Sequence, residues 1–364
     1  MKATSNQVGY HRTADEPRAK IAFQIVGANG HHEVEPGSLT SSDYERNEAA
    51  KLALLAHCRM ISRRMMPPFV EAMRPHQWVK NLLVMAPLAF TPQGLIFEWS
   101  AWLAVLCACG TFCLGASSIY LLNDIVDRDE DARHPKKRHR PIASGRLAIG
   151  AAKVQLAVQL AATFALAALV PTNGRLPFVV WPAAYLALNF AYSFWLKKLV
   201  VVDCMCIALG FQLRVQAGAA AIGVKASHWL LLCTFFFALF LAFCKRYEEL
   251  SRQAEATGRT RATMEDYTAS FLNMMIGPLA ALSILTYSLY TVSPETVLTH
   301  GSDRLLYTVP FVTYGVFRYL FLVYRKSEGG DPARLLFRDI PLIVSGVAYA
   351  IAVVVLLRCW PTGS

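Results

Sequence analysis

Cysteine pairs at metal-binding or redox spacing are missing from this chain. It has nine Cys, but none forms a CxxC, which excludes zinc-ribbon and dithiol chemistry. Cys107, Cys109, Cys113, Cys204, Cys206, Cys233 and Cys244 lie inside or at the ends of apolar runs, where a thiol acts as a small buried apolar group. The first fifty residues also lack the features of a signal peptide: they are polar, without helical periodicity, a basic start or an apolar core. Residues 1–65 are therefore expected to be a disordered tail, or the result of an over-extended start ahead of Met60, Met65 and Met66, leaving 66–364 as the working domain. No short repeat period occurs, so a solenoid is excluded. Acidic residues are the scarcer sign, 25 Asp and Glu against 36 Lys and Arg, for a net charge of +11. The cations sit in short loops between apolar runs, which marks a juxtamembrane pattern and leaves no nucleic-acid partner to expect.

What the chain does have is apolar length. It is 55% hydrophobic with a positive mean hydropathy, a combination that points to several membrane spans. Runs long enough to cross a bilayer fall at 80–97, 101–122, 149–170, 176–196, 200–223, 228–247, 268–293, 305–324 and 339–358. Pro87, Pro92 and Gly94 interrupt the first. Lys and Arg crowd into alternate connections, while the intervening ones and the C-terminus hold only Arg175, Lys225, Arg304 and Arg358. By the positive-inside rule the N-terminus and all the charged loops face the cytoplasm and the C-terminus lies outside. The expected fold is an all-α, polytopic protein of the inner (cytoplasmic) membrane.

The chemistry sits in those loops. Asn123, Asp124, Asp127 and Asp131 form NDxxDxxxD, and on a continuous helix the three carboxylates would share one face. Like charges so arranged require something positive between them, and hard carboxylate and amide oxygens suit Mg²⁺. Asp129 and Glu130 point elsewhere and are expected to face solvent. HPKKRHRPIASG follows, with Lys136, Lys137, Arg138 and Arg140 between Pro135 and Pro141. The prolines prevent a continuous helix, so these cations can curl toward the acidic face. Metal ligands beside phosphate-binding cations suggest a departing diphosphate; a plain topology signal is the bland alternative. RPHQWVKN upstream supplies Arg74 and Lys80, and YSFWLKK supplies Tyr192 and Lys197. Asp203 and Arg214 lie eleven residues apart in the fifth span, as a site or as a structural intramembrane pair. CKRYEEL brings Lys245, Arg246 and Glu249 to the membrane edge, as ligands or as snorkelling anchors.

RPHQWVKNLLVMAPL, NDIVDRDEDARHPKKRHRPIASG, YSFWLKK with VDCMCIALGFQLRVQAGA, and CKRYEEL resemble, in order and spacing, the UbiA superfamily of intramembrane prenyltransferases. The resemblance is greatest to its branch of decaprenyl-phosphate phosphoribosyltransferases and runs from about Arg74 to the C-terminus. It implies a bundle of nine transmembrane helices with a cytoplasm-facing cavity. It also implies transfer of the 5-phosphoribosyl group of phosphoribosyl diphosphate (PRPP) to a polyprenyl phosphate, releasing pyrophosphate, for cell-envelope glycan precursors. Asn123, Asp124, Asp127 and Asp131 would hold Mg²⁺ and the diphosphate, and Lys80, Lys137, Arg138 and Arg140 would bind phosphates. Tyr192, Lys197, Asp203, Arg214, Lys245, Arg246 and Glu249 complete the expected substrate contacts. The chain departs from the wider superfamily after span six, where KRYEEL stands in place of a second DxxxD. That departure weighs against the rival reading, a prenyl diphosphate donor with an aromatic acceptor. A transporter, the rival of another class, would carry charges at mid-membrane on paired broken helices.

Overall fold

A computed structural model describes residues 66–89, 95–134, 137–171, 176–255, 266–300, 302–326 and 339–358. The chain divides into compact units Met1–Met66 and Pro67–Ser364, and the architecture here is that of the second. The expected tail, residues 1–65, lies outside the described residues.

The described residues are helical and contain no strand. In chain order the helices are α1 (Pro68–Met73), α2 (Trp99–Val126), α3 (Arg128–Arg133), α4 (Ile149–Leu169), α5 (Val180–Phe194) and α6 (Val202–Ala221). They are followed by α7 (His228–Glu255), α8 (Ala269–Val292), α9 (Pro294–His300), α10 (Val309–Lys326) and α11 (Ile340–Arg358). Among the described residues six helical stretches are long and apolar enough to cross a membrane: Trp99–Val126, Ile149–Leu169, Val202–Ala221, His228–Ser251, Ala269–Val292 and Arg304–Arg325. Their outward faces are apolar: Val154 and Val158, one turn apart on α4, are 64% and 62% exposed. Surfaces of that kind belong against lipid.

The other three expected spans differ in form. The fourth is the 15-residue α5, and the ninth is α11, with an apolar stretch Ile340–Leu356. The first is no regular span. Pro75–Met85 winds as a 3-10 helix of 11 residues, followed by one turn at Ala86–Ala89. Runs of this tight helix beyond three or four residues are uncommon, and its three-residue period explains this one. Trp78, Asn81 and Val84 recur every third residue and all reach into the bundle. Trp78 donates to Ser117 Oγ at 3.0 Å, Asn81 binds Arg214, and Val84 is fully buried. An α-helix would spread the three over an arc of about 120°, whereas the 3-10 helix stacks them in one row. The segment lies so close to α6 that a Cβ on Gly218 would stand 1.8 Å from the Val84 carbonyl oxygen.

Two large apolar clusters hold most of the long helices together. Phe112, Ala116, Tyr185, Ala217 and Ala221 join α2, α5 and α6. Phe240, Phe243, Leu272, Ile276 and Leu322 join α7, α8 and α10. The antiparallel path brings the C-terminal ends of α2, α5 and α7 and the N-terminal ends of α4, α6 and α8 to one end, where the polar residues meet.

Candidate active site

The acidic motif straddles a break in the helix. α2 stops at Val126, Asp127 turns (φ −86°, ψ 10°), and α3 resumes at Arg128. The expected single face is thus bent, but Asp124 and Asp131 still converge because one guanidinium joins them. Arg140 Nη1 donates to Asp124 Oδ1 at 3.0 Å and to Asp131 Oδ2 at 2.5 Å. The cation loop does curl back as the flanking prolines suggested: Lys137 Nζ lies 3.5 Å from Asp131 Oδ1. Pro135 and Lys136 are outside the described residues, and Arg138 is exposed beside His139. Asp129 and Glu130 are exposed; Asn123 and Asp127 are half-buried.

Arg74 completes this cluster. It donates to Asp124 Oδ1 at 2.5 Å, and its guanidinium lies 4.8 Å from the Tyr120 ring centre. Its backbone is left-handed (φ 53°, ψ 59°), a conformation glycine usually supplies at a helix end. An arginine there accepts strain so that its side chain can reach the acid. The sequence placed Arg74 only at the head of an expected span. The two carboxylates are almost fully buried, at 2% and 1% exposure, while Arg74, Arg140 and Lys137 are 23%, 26% and 45% exposed. Buried acids thus face outward-leaning cations, which can turn toward an arriving anion.

The donor set of Asn123, Asp124, Asp127 and Asp131 fits magnesium by chemistry, being hard oxygens at one helix end. Asp131 Oδ1 is buried and makes no hydrogen bond. Among the described residues, however, no three acidic, His or Cys side chains converge as a ready-made metal cluster. Arg140 stands between two of the expected ligands.

A second cluster closes the same end of the bundle. Asp203, in the first turn of α6, receives Arg246 Nε on Oδ2 at 2.7 Å. Its Oδ1 takes the Tyr267 hydroxyl and the Cys204 N–H, each at 2.8 Å. Arg246 also reaches Tyr192 Oη at 3.2 Å and pairs with Glu249. Lys245 lies 3.8 Å from Glu249. Arg246 is 2% exposed with all three of its nitrogens engaged, so it acts inside the protein and not as a snorkelling anchor. Tyr267 was not foreseen, and no sequence period marks it. Burial, reinforced by Cys204 and Asp203, pushes its phenol well above the usual value and keeps it a donor. Its oxygen accepts the N–H of Val201, a β-branched residue at φ 68°, ψ −45°, so it props a strained turn at the head of α6. Lys80 and Lys197 are half-buried, on the 3-10 segment and on the turn Leu196–Lys198.

Asp203 and Arg214 do not meet. Eleven helical residues separate them by about 16 Å, so sharing a face does not make them a pair. Arg214 instead donates to Asn81 Oδ1 at 2.7 Å, Gly210 O at 2.8 Å and Tyr185 Oη at 2.9 Å. It ties the 3-10 segment to α5 and α6 below the site.

The sequence pattern of the UbiA prenyltransferase family matches residues 82–340. The chain is 33% identical over 296 residues to a decaprenyl-phosphate phosphoribosyltransferase of Corynebacterium glutamicum, covering 80% of this chain and 87% of that one. A protein of the same name from Mycolicibacterium smegmatis is 36% identical over 282 residues, covering 74% and 86%. The fold is similar to that of a UbiA homolog from Archaeoglobus fulgidus bound to DMAPP and Mg²⁺, with a TM-score of 0.60 at 17% identity, covering 80% of this chain and 99% of that one.

Proposed function

The chain belongs to the UbiA prenyltransferase family and is an integral membrane transferase, and we propose that it transfers the 5-phosphoribosyl group of PRPP to a polyprenyl phosphate of the decaprenyl type, releasing pyrophosphate. The observation that carries this reading is the charge at the bundle end. Buried Asp124 and Asp131 sit among Arg74, Arg140 and Lys137, and α7 carries Lys245 and Arg246 in its C-terminal half, in the KRYEEL stretch where a second acidic motif would serve a prenyl diphosphate. A site so rich in cations suits a donor with phosphates at both ends. The relatives' shared name points the same way.

In this reading the bundle end faces the cytoplasm, and the polyprenyl chain lies along the apolar helices with its phosphate at the site. Asn123, Asp124, Asp127 and Asp131 would hold Mg²⁺, which would neutralise charge on the departing pyrophosphate. Arg74, Arg140 and Lys137 are free to lean from the acids onto phosphate oxygens, where their attraction grows as the C1–O bond stretches and negative charge accumulates. The acceptor phosphate is already an anion, so no strong general base is required, and attack from the opposite side inverts C1. The lipid-linked pentose phosphate so formed would serve as a precursor of cell-envelope glycans.

The test is to give membranes containing the protein labelled PRPP with several lipid phosphates. Label should enter lipid only with a polyprenyl phosphate present. Prenylation of an aromatic acceptor from a prenyl diphosphate, without labelled lipid, would overturn the proposal.

A further inference from the structure

Glu249 is an acid in a place where phosphates are expected, and its geometry says what it can recognise. It lies three residues after Arg246 on α7, and Arg246 in turn reaches Asp203 of α6 and Tyr192 of α5. One turn nearer the end of the bundle, it is 31% exposed, whereas Arg246 is 2% exposed. Arg246 holds Oε2, and Lys245 lies 3.8 Å from Oε1. Arg246 and Lys245 both point donors at this carboxylate, and a carboxylate that faces donors on both oxygens acts as an acceptor of hydrogen bonds. Phosphate and diphosphate groups are acceptors as well and are repelled by it. Of the two substrates in the reading above, on which this inference rests, only the ribose carries hydroxyl donors.

We propose that Glu249 accepts hydrogen bonds from the ribose hydroxyls of the donor and thereby selects a ribosyl over a deoxyribosyl or non-sugar diphosphate. Arg246 sets its position, and Asp203 and Tyr267 set Arg246. The buried end of this positioning chain is anchored, because Asp203 Oδ1 accepts from both the Tyr267 hydroxyl and the Cys204 N–H.

The experiment compares kcat/KM for PRPP with that for its 2-deoxy and 3-deoxy counterparts, using wild type, Glu249→Ala and Glu249→Gln purified in membrane mimics. The deoxy sugars differ in intrinsic reactivity, but that difference cancels when the PRPP-to-deoxy ratio is compared between proteins. A hydrogen bond to a charged group is worth roughly tenfold to a hundredfold in such a ratio. For at least one deoxy donor the ratio should fall by that factor in Glu249→Ala, with Glu249→Gln intermediate, since it keeps an acceptor oxygen and the side-chain shape. Unchanged ratios for both donors would overturn the assignment, as would a changed requirement for divalent metal at constant ratios, which marks a metal ligand. A wild-type protein inert toward PRPP would sink the phosphoribosyl reading itself, a separate result from active wild type with unmoved ratios.

Discussion

Replacing Asp203 by Leu removes the carboxylate at the centre of the second cluster. Three donors lose their acceptor: Arg246 Nε, the Tyr267 hydroxyl and the Cys204 N–H. Asp203 and Arg246 are 1% and 2% exposed, so water cannot replace the lost contacts. Breaking a buried ion pair by removing one partner costs about 3–5 kcal/mol, mostly from the orphaned charge. The stranded Tyr267 and Cys204 donors add to this, at about 1–3 kcal/mol each before relaxation. Glu249 moderates the loss, since it still neutralises Arg246 from the partly exposed side. The double variant Asp203→Leu/Arg246→Met removes the orphaned cation and should recover about 2 kcal/mol or more of the stability lost in the single variant. Activity should not recover with it, because Tyr192 and Glu249 remain without the guanidinium that positions them. Denaturant unfolding of all three proteins in one membrane mimic, paired with turnover, measures both quantities. A single variant as stable as wild type would refute the argument, and so would a double variant no more stable than the single.

Further expectations concern the first cluster and its support. Asp124→Asn and Asp127→Asn should each lower turnover about a hundredfold or more, the scale of losing one preorganised charge-stabilising group; exposed Asp129→Asn and Glu130→Gln should stay within a few-fold, and equal rates for all four would dissolve the site. Arg140→Met leaves buried Asp124 and Asp131 without their shared partner; half-maximal activation by divalent metal should shift to lower concentration while the apparent KM for PRPP rises, both readable from initial rates. Gly218→Ala would set a Cβ 1.8 Å from the Val84 oxygen, a backbone atom that cannot swing aside. It should cost about 1–3 kcal/mol of stability and lower activity through the 3-10 segment, whereas Gly115→Ala, whose Cβ meets nothing closer than 3.6 Å, should be tolerated. A reporter fused after Ser364 should read as external and one near Gly258 as cytoplasmic; the same side for both would upset the topology.

The sequence by itself determined the solvent and the neighbourhood of the chemistry. Long apolar runs have no stable place but a bilayer, and this is legible because hydropathy is a local sum over twenty or so residues. NDxxDxxxD and its proline-bracketed cations were legible for the same reason: the separations are short, so chain geometry alone returns Arg140 to Asp124 and Asp131. Contacts between distant segments were decided only in three dimensions. Arg246 chooses Asp203 across 43 residues of chain, and Tyr267 reaches the same carboxylate from 64 residues away. Arg214 turns from its helix-mate Asp203 to Asn81, 133 residues upstream. The first expected span became a 3-10 segment because three side chains at a three-residue period found partners on α2 and α6, and because Gly218 left room for its backbone. Periodicity along one helix says which residues share a face, but the partner on that face is set by packing with helices that the local pattern does not encode.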